Sequence, residues 1–221
     1  MISIIIPVYN EEKTVLNILK SIDIAFGDIS YETIIIDDGS RDQTQQICEK
    51  ASALQKNIKY IRLPQNKGKG FALRTGFENM NGSFALIQDA DNEYDPTVLR
   101  MLFNNTKNNI VIYGKRNRKK GYLLNRIGNL FITSFCNFLY GSSLFDIYTC
   151  YKIIPIQILK SLNLSSDGFE IEAEITAKLL RKNIKIIEIP IPYIPRTYKE
   201  GKHIRAKDGF IGFWTLLKNR F

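Results

Sequence analysis

The sequence has few of the residues from which disulfide frameworks and zinc sites are built. It contains three cysteines, at positions 48, 136 and 150. An odd number of cysteines with no CxxC pair argues against both kinds of site and is typical of a reducing compartment. The opening residues MISIIIPVYNEE become acidic too early for a signal peptide, so we expect none.

Two common phosphate-binding loops are also missing. A P-loop needs Gly-Lys-Ser/Thr, and this tripeptide does not occur. The glycine-rich stretch NKGKGFALRTG (66–76) contains Gly68 and Gly70, but Leu73 stands where a dinucleotide-binding fingerprint requires glycine. The stretch also follows LPQ rather than a strand that opens directly into a helix. A Walker site and a Rossmann fingerprint are therefore both excluded.

One uncharged run, residues 127–145, is nearly long enough to cross a bilayer. Six small or polar residues interrupt it: Asn129, Ser134, Asn137, Gly141, Ser142 and Ser143. Such residues are unfavourable in the hydrocarbon core, so a buried or interfacial helix is favoured over a transmembrane one.

The overall composition is that of a globular protein that carries excess positive charge. Of 221 residues, 44% are hydrophobic and 24% are charged, and the formal net charge is +9. This length allows one large domain with a full core. The positive charge indicates an acidic partner, either nucleic acid, anionic lipid or a phosphorylated substrate.

Candidate strands alternate with helix patterns over the first half of the chain. The strands are 2–6, 32–36, 58–63, 84–88 and 110–114, and the helices are 12–26, 41–55, 69–80 and 96–107. Ser40 and Asp95 are the expected helix N-caps. Strands that are apolar throughout and alternate with helices predict an α/β fold with an open, mostly parallel central sheet and helices on both faces.

The second half begins with the basic run KRNRKK (115–120). A long helix is expected at 123–140, followed by the segment DIYTCYKII (146–154), a helix at 172–182, a strand at 184–191 and a basic tail. No linker separates the halves, so we expect a single domain, 1–221, with the tail folded back over the first half.

Acidic residues follow three of the strands, the first of which, 2–6, runs into PVYNE (7–11). The stretch LIQDADNEYDP (86–96) places Asp89, Asp91, Glu93 and Asp95 within seven residues, and DDGS (37–40) follows another strand. Ligands bind beyond the carboxyl ends of parallel strands, so Asp38, Asp89 and Asp91 are expected to converge. Asp95 precedes Pro96 and is read as a cap, whereas Asp38 serves equally well in a turn.

Neighbouring carboxylates repel one another unless a cation joins them. Neither Asp89 nor Asp91 has a basic neighbour in sequence. Hard oxygen ligands at alternate positions suit Mg²⁺ or Mn²⁺, which also bind substrate phosphates. The sequence therefore predicts a divalent-metal site.

The ordered motifs PVYNE, IIIDDGSRDQT, NKGKGFALRTG, DADNEYDP, YGKR, FEIEAEITAKL and EIPIPYIPRTYKEGKHI run over nearly the whole chain. Together they resemble the family 2 nucleotide-sugar glycosyltransferases of the GT-A fold, within them the dolichyl- or polyprenyl-phosphate sugar synthases. The resemblance implies that residues 1–114 bind the nucleotide sugar and that 115–221 form the acceptor side with a closing loop and tail.

The resemblance also implies individual roles in an inverting transfer from a GDP- or UDP-sugar. The implied positions are Pro7, Tyr9 and Glu11 at the nucleoside, Ile36 and Asp38 at the base, Asp89, Ala90 and Asp91 at the metal and diphosphate, Glu93 as a third metal ligand, and Arg116, Arg196 and Lys202 closing on the diphosphate. Asp89, Asp91 and Arg116 are the expected catalytic residues.

The acceptor is open between two classes. A polyprenyl phosphate is ionised at neutral pH and needs no general base, whereas a hydroxyl usually does. Arg126 is a candidate contact for a phosphate, and Asp146, Glu172 and Glu174 are candidate bases for a hydroxyl. The basic run beside the uncharged helix favours the lipid and a peripheral site on the cytoplasmic face of a membrane. Nucleic-acid binding without catalysis is a remote alternative, because no recognition motif occurs.

Overall fold

The strands in the described part of the chain form one seven-stranded sheet. They are β1 (Ile2–Val8), β2 (Tyr31–Asp37), β3 (Ile58–Arg62), β4 (Phe84–Ile87), β5 (Ile110–Arg116), β6 (Lys152–Pro155) and β7 (Lys185–Ile191). The computed structural model describes residues 1–117, 123–196 and 206–221, without the side chains of 123–125 and 206. Lys202 and residues 118–120 of the basic run 115–120 therefore lie outside the described residues.

The sheet has the order β3-β2-β1-β4-β6-β5-β7. Only β6 is antiparallel to its neighbours β4 and β5. The central register aligns Ile5 of β1 with Ile34 of β2 and Ile87 of β4. The predicted mostly parallel α/β sheet is confirmed, and it brings the ends of β1, β2 and β4 together at one edge.

Eight α-helices are present in the described part of the chain. They are α1 (Val15–Phe26), α2 (Thr44–Leu54), α3 (Lys69–Glu78), α4 (Leu99–Phe103), α5 (Leu123–Tyr140), α6 (Ile156–Ser161), α7 (Ile171–Arg181) and α8 (Ala206–Lys218). Asp95 caps a short 3₁₀ turn, Pro96–Val98, by accepting a hydrogen bond from the Thr97 amide at 2.9 Å. This confirms its predicted capping role.

Two local predictions were wrong. The helix expected at 96–107 ends at Phe103, and the side chains of Asn105 and Thr106 then bond to the carbonyls of Met101 and Phe103. Such local bonds compete with continuation of a helix. Helix α2 begins at Thr44 without a side-chain cap. Ser40 instead accepts a hydrogen bond from the Asn10 amide at 3.0 Å, which ties the loop after β2 to the loop after β1.

Residues 193–196 of the tail return to the first half of the chain, as expected, and Arg196 contacts Glu11 and Asp91 there. Helix α8 instead packs on α5 and α7 of the second half, so for this helix the expected return was wrong. The Phe135 ring of α5 stacks on Phe213 of α8 with centroids 4.1 Å apart. The Tyr140 hydroxyl donates to the Leu216 carbonyl at 2.7 Å. A second apolar cluster, formed by α5, α7 and α8, gives the tail a place to bury Leu216. Within the described residues, no helix combines the length and hydropathy that a bilayer crossing needs.

Candidate active site

The acidic stretch 89–95, which we call the acid loop, leaves the carboxyl end of β4 in the middle of the sheet. Asp89 Oδ1 lies 2.8 Å from Lys69 Nζ. Asp91 Oδ2 lies 2.9 Å from Arg196 Nη2. The cations absent from the neighbouring sequence are therefore supplied by α3 and by the segment after β7.

The two aspartates differ in their proton affinity. Burial disfavours the charge of Asp89, but Lys69 outweighs burial, and the pKa of Asp89 lies below its ordinary value. Burial, followed by the charge of Asp89, raises the pKa of Asp91 to about 7. The pair thus carries negative charge that the surroundings do not fully stabilise, and an additional cation would stabilise it.

Asp89 and Asp91 have the chemistry that a hard divalent cation requires. Both are carboxylates at the open end of the sheet, and their side chains keep 21% and 15% of their surface exposed. Among residues 1–117, 123–196 and 206–221, no three His, Cys, Asp or Glu side chains are grouped so that they could hold a metal ion. The fit therefore rests on these two residues.

Both carboxylate oxygens of Glu93 accept hydrogen bonds from the protein. Its Oε2 accepts a hydrogen bond from the Tyr193 hydroxyl at 2.7 Å. Its Oε1 accepts one from the Arg196 amide at 2.8 Å. The placement does not support the predicted third metal ligand, which stays a prediction.

Arg196 joins two loops at the edge of the sheet. Its Nη1 lies 3.1 Å from Glu11 Oε1, and its Nη2 contacts Asp91. Arg196 thereby lies between the predicted nucleoside position after β1 and the acid loop. Pro7 and Tyr9 are partly exposed nearby in sequence, whereas Ala90 is buried.

Asp38 is buried and holds a loop. Its two carboxylate oxygens accept hydrogen bonds from the amides of Lys67 and Gly68, at 2.7 and 2.8 Å. Burial raises its pKa against the effect of these donors. Ile36 has no exposed surface, so the placement of its side chain does not support contact with a base. Both assignments at the base stay predictions.

The glycine-rich stretch serves packing. A Cβ at Gly70 would lie 2.5 Å from the carbonyl oxygen of Ser166, and Gly68 adopts a φ of +101° directly against Asp167. The Phe71 amide donates to the Asp167 carbonyl at 3.0 Å. Only glycine permits this approach of two backbones. The contact fixes the start of α3 and hence Lys69.

A chain of alternating charges leads from the acid loop into the core. Lys69 Nζ lies 3.0 Å from Glu172 Oε1, and Glu172 pairs in turn with Lys152. Lys152 has no exposed surface, and it also donates to the carbonyls of Ile147 and Thr149. Burial lowers the pKa of Lys152 although Glu172 acts in the opposite direction. Neither lysine was predicted, because their partners lie 20 residues away.

The candidate bases all have partners. Asp146 accepts two hydrogen bonds from Arg116, at 2.5 and 2.9 Å, and one from Asn129 at 3.0 Å. Burial opposes the charge of Asp146, but Arg116 keeps its pKa below the ordinary value. Glu174 accepts hydrogen bonds from the Ser165 and Ser166 amides. These placements favour structural roles over general-base roles.

Two of the predicted cationic residues, Arg116 and Arg126, lie in the half of the chain that is predicted to bind the acceptor. Arg116 is held by Asp146, and its guanidinium lies 5.0 Å from the centre of the Tyr193 ring. The Nε of Arg126 is buried and finds no hydrogen-bond acceptor within the part of the chain that the structure describes. The predicted contacts of both residues with phosphate stay predictions, as does that of Lys202.

Comparison with protein families matches residues 3–162 to Glycosyl transferase family 2. The chain is 29% identical over 225 residues to glycosyltransferase AglJ of Haloferax volcanii, covering 98% of this chain and 71% of that protein. It is 27% identical to the dolichol-phosphate mannosyltransferase of Pyrococcus furiosus, covering 91% of this chain and 58% of that protein.

Among solved structures, the chain is similar to glucosyl-3-phosphoglycerate synthase from Mycobacterium tuberculosis. That structure contains Mn²⁺, uridine diphosphate and glucosyl-3-phosphoglycerate. The TM-score is 0.77 at 16% identity, over 99% of this chain and 79% of the other. At this identity the likeness shows the fold, which is the expected GT-A fold.

Proposed function

The chain belongs to glycosyl transferase family 2, and from that premise we propose that it transfers a sugar from a nucleotide diphosphate sugar to a polyprenyl phosphate, with inversion. The observation that carries the proposal is the pair Asp89 and Asp91 beside Lys69 and Arg196. These four side chains gather acids and bases where a parallel sheet binds its ligand.

The donor is a diphosphate, which fits both charges of the site. Asp89 and Asp91 would hold Mg²⁺ or Mn²⁺, which supplies positive charge to the departing nucleotide when bound. Arg196 presents a planar guanidinium that matches phosphate oxygens, and Lys69 adds a second cation within the same cleft. Two solved neighbours contain uridine diphosphate with Mn²⁺ or Mg²⁺, which supports this class of donor.

The reaction is a direct displacement. An oxygen of the acceptor phosphate forms a bond to the anomeric carbon, while the bond from that carbon to the nucleotide diphosphate breaks. The nucleotide leaves with the electron pair, and the configuration of the carbon inverts. An ionised phosphate needs no proton removed, which agrees with the structural partners of Asp146, Glu172 and Glu174.

A lipid acceptor is supported by the outer surface of α5 and α8. Large apolar side chains on these two helices face the solvent; we call them the α5/α8 face. They are Ile127, Leu130, Phe131 and Phe138 on α5, and Phe210, Ile211 and Trp214 on α8. Phe138 and Phe210 are 86% and 73% exposed. Large exposed apolar side chains on two helices that pack together support an interaction site there.

The ends of the same face carry positive charge. On α8, the exposed residues Lys207 and Lys218 stand before and after the apolar residues Phe210 and Trp214. Helices that lie in a membrane interface combine an apolar side that enters the acyl region with lysines that contact anionic headgroups. We therefore place the acceptor chain and the membrane surface against α5 and α8.

The name of one relative supports the same acceptor. The Pyrococcus protein is named a dolichol-phosphate mannosyltransferase, and the alignment with it covers 91% of this chain. Its name supports a polyprenyl phosphate here.

A transfer assay tests the proposal. The protein is incubated with Mn²⁺ and radiolabelled GDP- or UDP-sugars, together with either polyprenyl phosphate in vesicles or a soluble saccharide. We expect label in the lipid fraction and none in the saccharide. Transfer to the saccharide alone would overturn the lipid acceptor and would make Asp146, Glu172 and Glu174 the first bases to test by mutation.

A further inference from the structure

One residue of the acid loop, Glu93, makes several of the contacts that bind the segment 193–196. Its backbone carbonyl accepts a hydrogen bond from the Ile194 amide at 3.0 Å. Its carboxylate accepts one from the Tyr193 hydroxyl at 2.7 Å and one from the Arg196 amide at 2.8 Å. Three contacts therefore hold this segment over the end of β4.

Buried aromatic rings stabilise the contact between the segment 193–196 and the acid loop. Tyr193 and Tyr94 are 8% and 3% exposed, and their ring centres lie 5.3 Å apart. The Tyr94 hydroxyl accepts a hydrogen bond from the Cys150 amide at 3.0 Å, which fixes that ring to the segment before β6. The Tyr193 hydroxyl is thereby directed at Glu93, and little freedom remains for the segment.

The position of the Arg196 guanidinium depends on the contacts between this segment and Glu93. Its amide is bound to Glu93, while its Nη atoms reach Glu11 and Asp91 at 3.1 and 2.9 Å. Moving the backbone of Arg196 by about 1 Å would break charged hydrogen bonds of this length. Positioning errors of that size in an active site cost about 100-fold in rate.

We propose that Glu93 is a positioning residue that fixes the segment 193–196, and with it Arg196, and that it does not ligate the metal. This inference rests on the proposed function in one respect only, namely that the ion is Mg²⁺ or Mn²⁺. A carboxylate that accepts hydrogen bonds on both oxygens and is 9% exposed is already directed toward its partners. A metal ligand in the same place would have to release Tyr193 and Arg196 together.

The test measures Mn²⁺ binding and hydrogen exchange, and needs neither sugar nor acceptor. Titration of Mn²⁺ alone should give a Kd for Glu93→Ala within about 3-fold of the parent, whereas Asp91→Asn should weaken binding by about 10-fold or more. Amide exchange at 194–196 should become about 10-fold faster in Glu93→Ala and in Tyr193→Phe, because both open the same local contact.

Matched variants separate docking from general loss of structure. Tyr193→Phe keeps the ring and removes only the hydroxyl, so it remains informative if Glu93→Ala fails to fold. Glu93→Gln should restore slow exchange at Arg196, since the amide oxygen still accepts that hydrogen bond. Combining Tyr193→Phe with Glu93→Ala should add less than the sum of the single effects.

Two results would overturn the inference. One is a loss of Mn²⁺ affinity in Glu93→Ala as large as that in Asp91→Asn. The other is unchanged exchange at 194–196 in both Glu93→Ala and Tyr193→Phe. If the parent itself binds no Mn²⁺, the metal in the proposed function fails, and the exchange measurements alone decide the role of Glu93.

Discussion

In the acid loop, each acidic side chain has a partner within the protein, whereas on the α5/α8 face large apolar side chains face the solvent. Asp89 and Asp91 meet Lys69 and Arg196, and Glu93 meets Tyr193. Phe138 and Trp214, by contrast, keep 86% and 59% of their surface exposed. The polar groups of the first region are paired within the chain, and the apolar surface of the second faces outward.

This difference indicates how each region should respond to substitution. A network of paired charges is sensitive to the loss of any one member, because a buried partner is then left unpaired. An exposed apolar face contributes little to folding and gains free energy only when another apolar phase covers it. Changes in the acid loop should therefore act on turnover, and changes in the buried charges behind it should act on stability. Changes on the α5/α8 face should act on the binding of the membrane and of the lipid acceptor.

The largest effect is expected for Asp91→Asn. Removing this charge should lower turnover on the order of 10³-fold, because the charge that stabilises the leaving diphosphate is lost. The melting temperature in EDTA should remain close to that of the parent, since the substitution removes repulsion with Asp89. Asp95→Asn is the control on the same loop, because asparagine also caps a helix. Parent-like turnover of Asp91→Asn would contradict the role of the pair.

Glu172→Gln tests the buried charges behind the acid loop. The substitution leaves Lys152 and Lys69 without their shared carboxylate, and we expect the free energy of unfolding to fall by about 3 kcal/mol. Urea denaturation measures it. Glu170→Gln is the matched control, since Glu170 directly precedes the same helix and its carboxylate accepts a hydrogen bond from the Gly168 amide. This substitution should cost about 1 kcal/mol or less. Equal stability of the two variants would refute a structural role for Glu172.

Two glycine variants compare a closely packed position near the acid loop with an open position on α5. Gly70→Ala would drive a Cβ into the Ser166 backbone and should cost about 2 kcal/mol. Gly128 lies in α5, and a Cβ added there would meet no atom within 4 Å among the described residues, so Gly128→Ala should stabilise by about 1 kcal/mol through helix propensity. Thermal denaturation of both variants decides the matter. Similar shifts for both would contradict the packing role of Gly70.

The smallest effect is expected on the α5/α8 face. Phe138→Ser should weaken binding to phosphatidylglycerol vesicles by about 10-fold, which corresponds to the lost burial of one aromatic side chain. Stability should not change, because Phe138 is exposed. Leu54→Ser is the control, since Leu54 is an exposed apolar residue of α2. Co-sedimentation with vesicles gives both values, and an equal loss in the two variants would remove the special role of this face.

Local sequence patterns predicted the elements and the convergence of acidic residues at one edge of the sheet. Apolar strands that alternate with helices leave few other arrangements, and acids that follow β2 and β4 had to meet at one edge. The antiparallel insertion of β6 between β4 and β5 was not predicted, because a four-residue strand leaves no pattern that reveals its neighbours.

The partners of the site residues were beyond the reach of sequence patterns. Arg196 is 105 residues from Asp91, and Tyr193 is 100 residues from Glu93. A single sequence reveals residue types and short spacings, whereas these pairs are created by the crossing of distant segments. The lysine in GKG was the available signal for Lys69, since it opens α3 at the same edge as the acid loop.

Donor binding, measured with and without metal, tests whether the protein binds a nucleotide sugar through a divalent cation at Asp89 and Asp91. The parent and Asp91→Asn are melted with each GDP- or UDP-sugar in Mn²⁺, in Mg²⁺ and in excess EDTA. A ligand that binds only the folded state raises the melting temperature, and it does so more strongly the tighter it binds. We expect at least one nucleotide sugar to raise the melting temperature of the parent in the presence of metal, and we expect EDTA or Asp91→Asn to abolish this increase. An equal shift in EDTA, or none with any donor, would contradict this expectation.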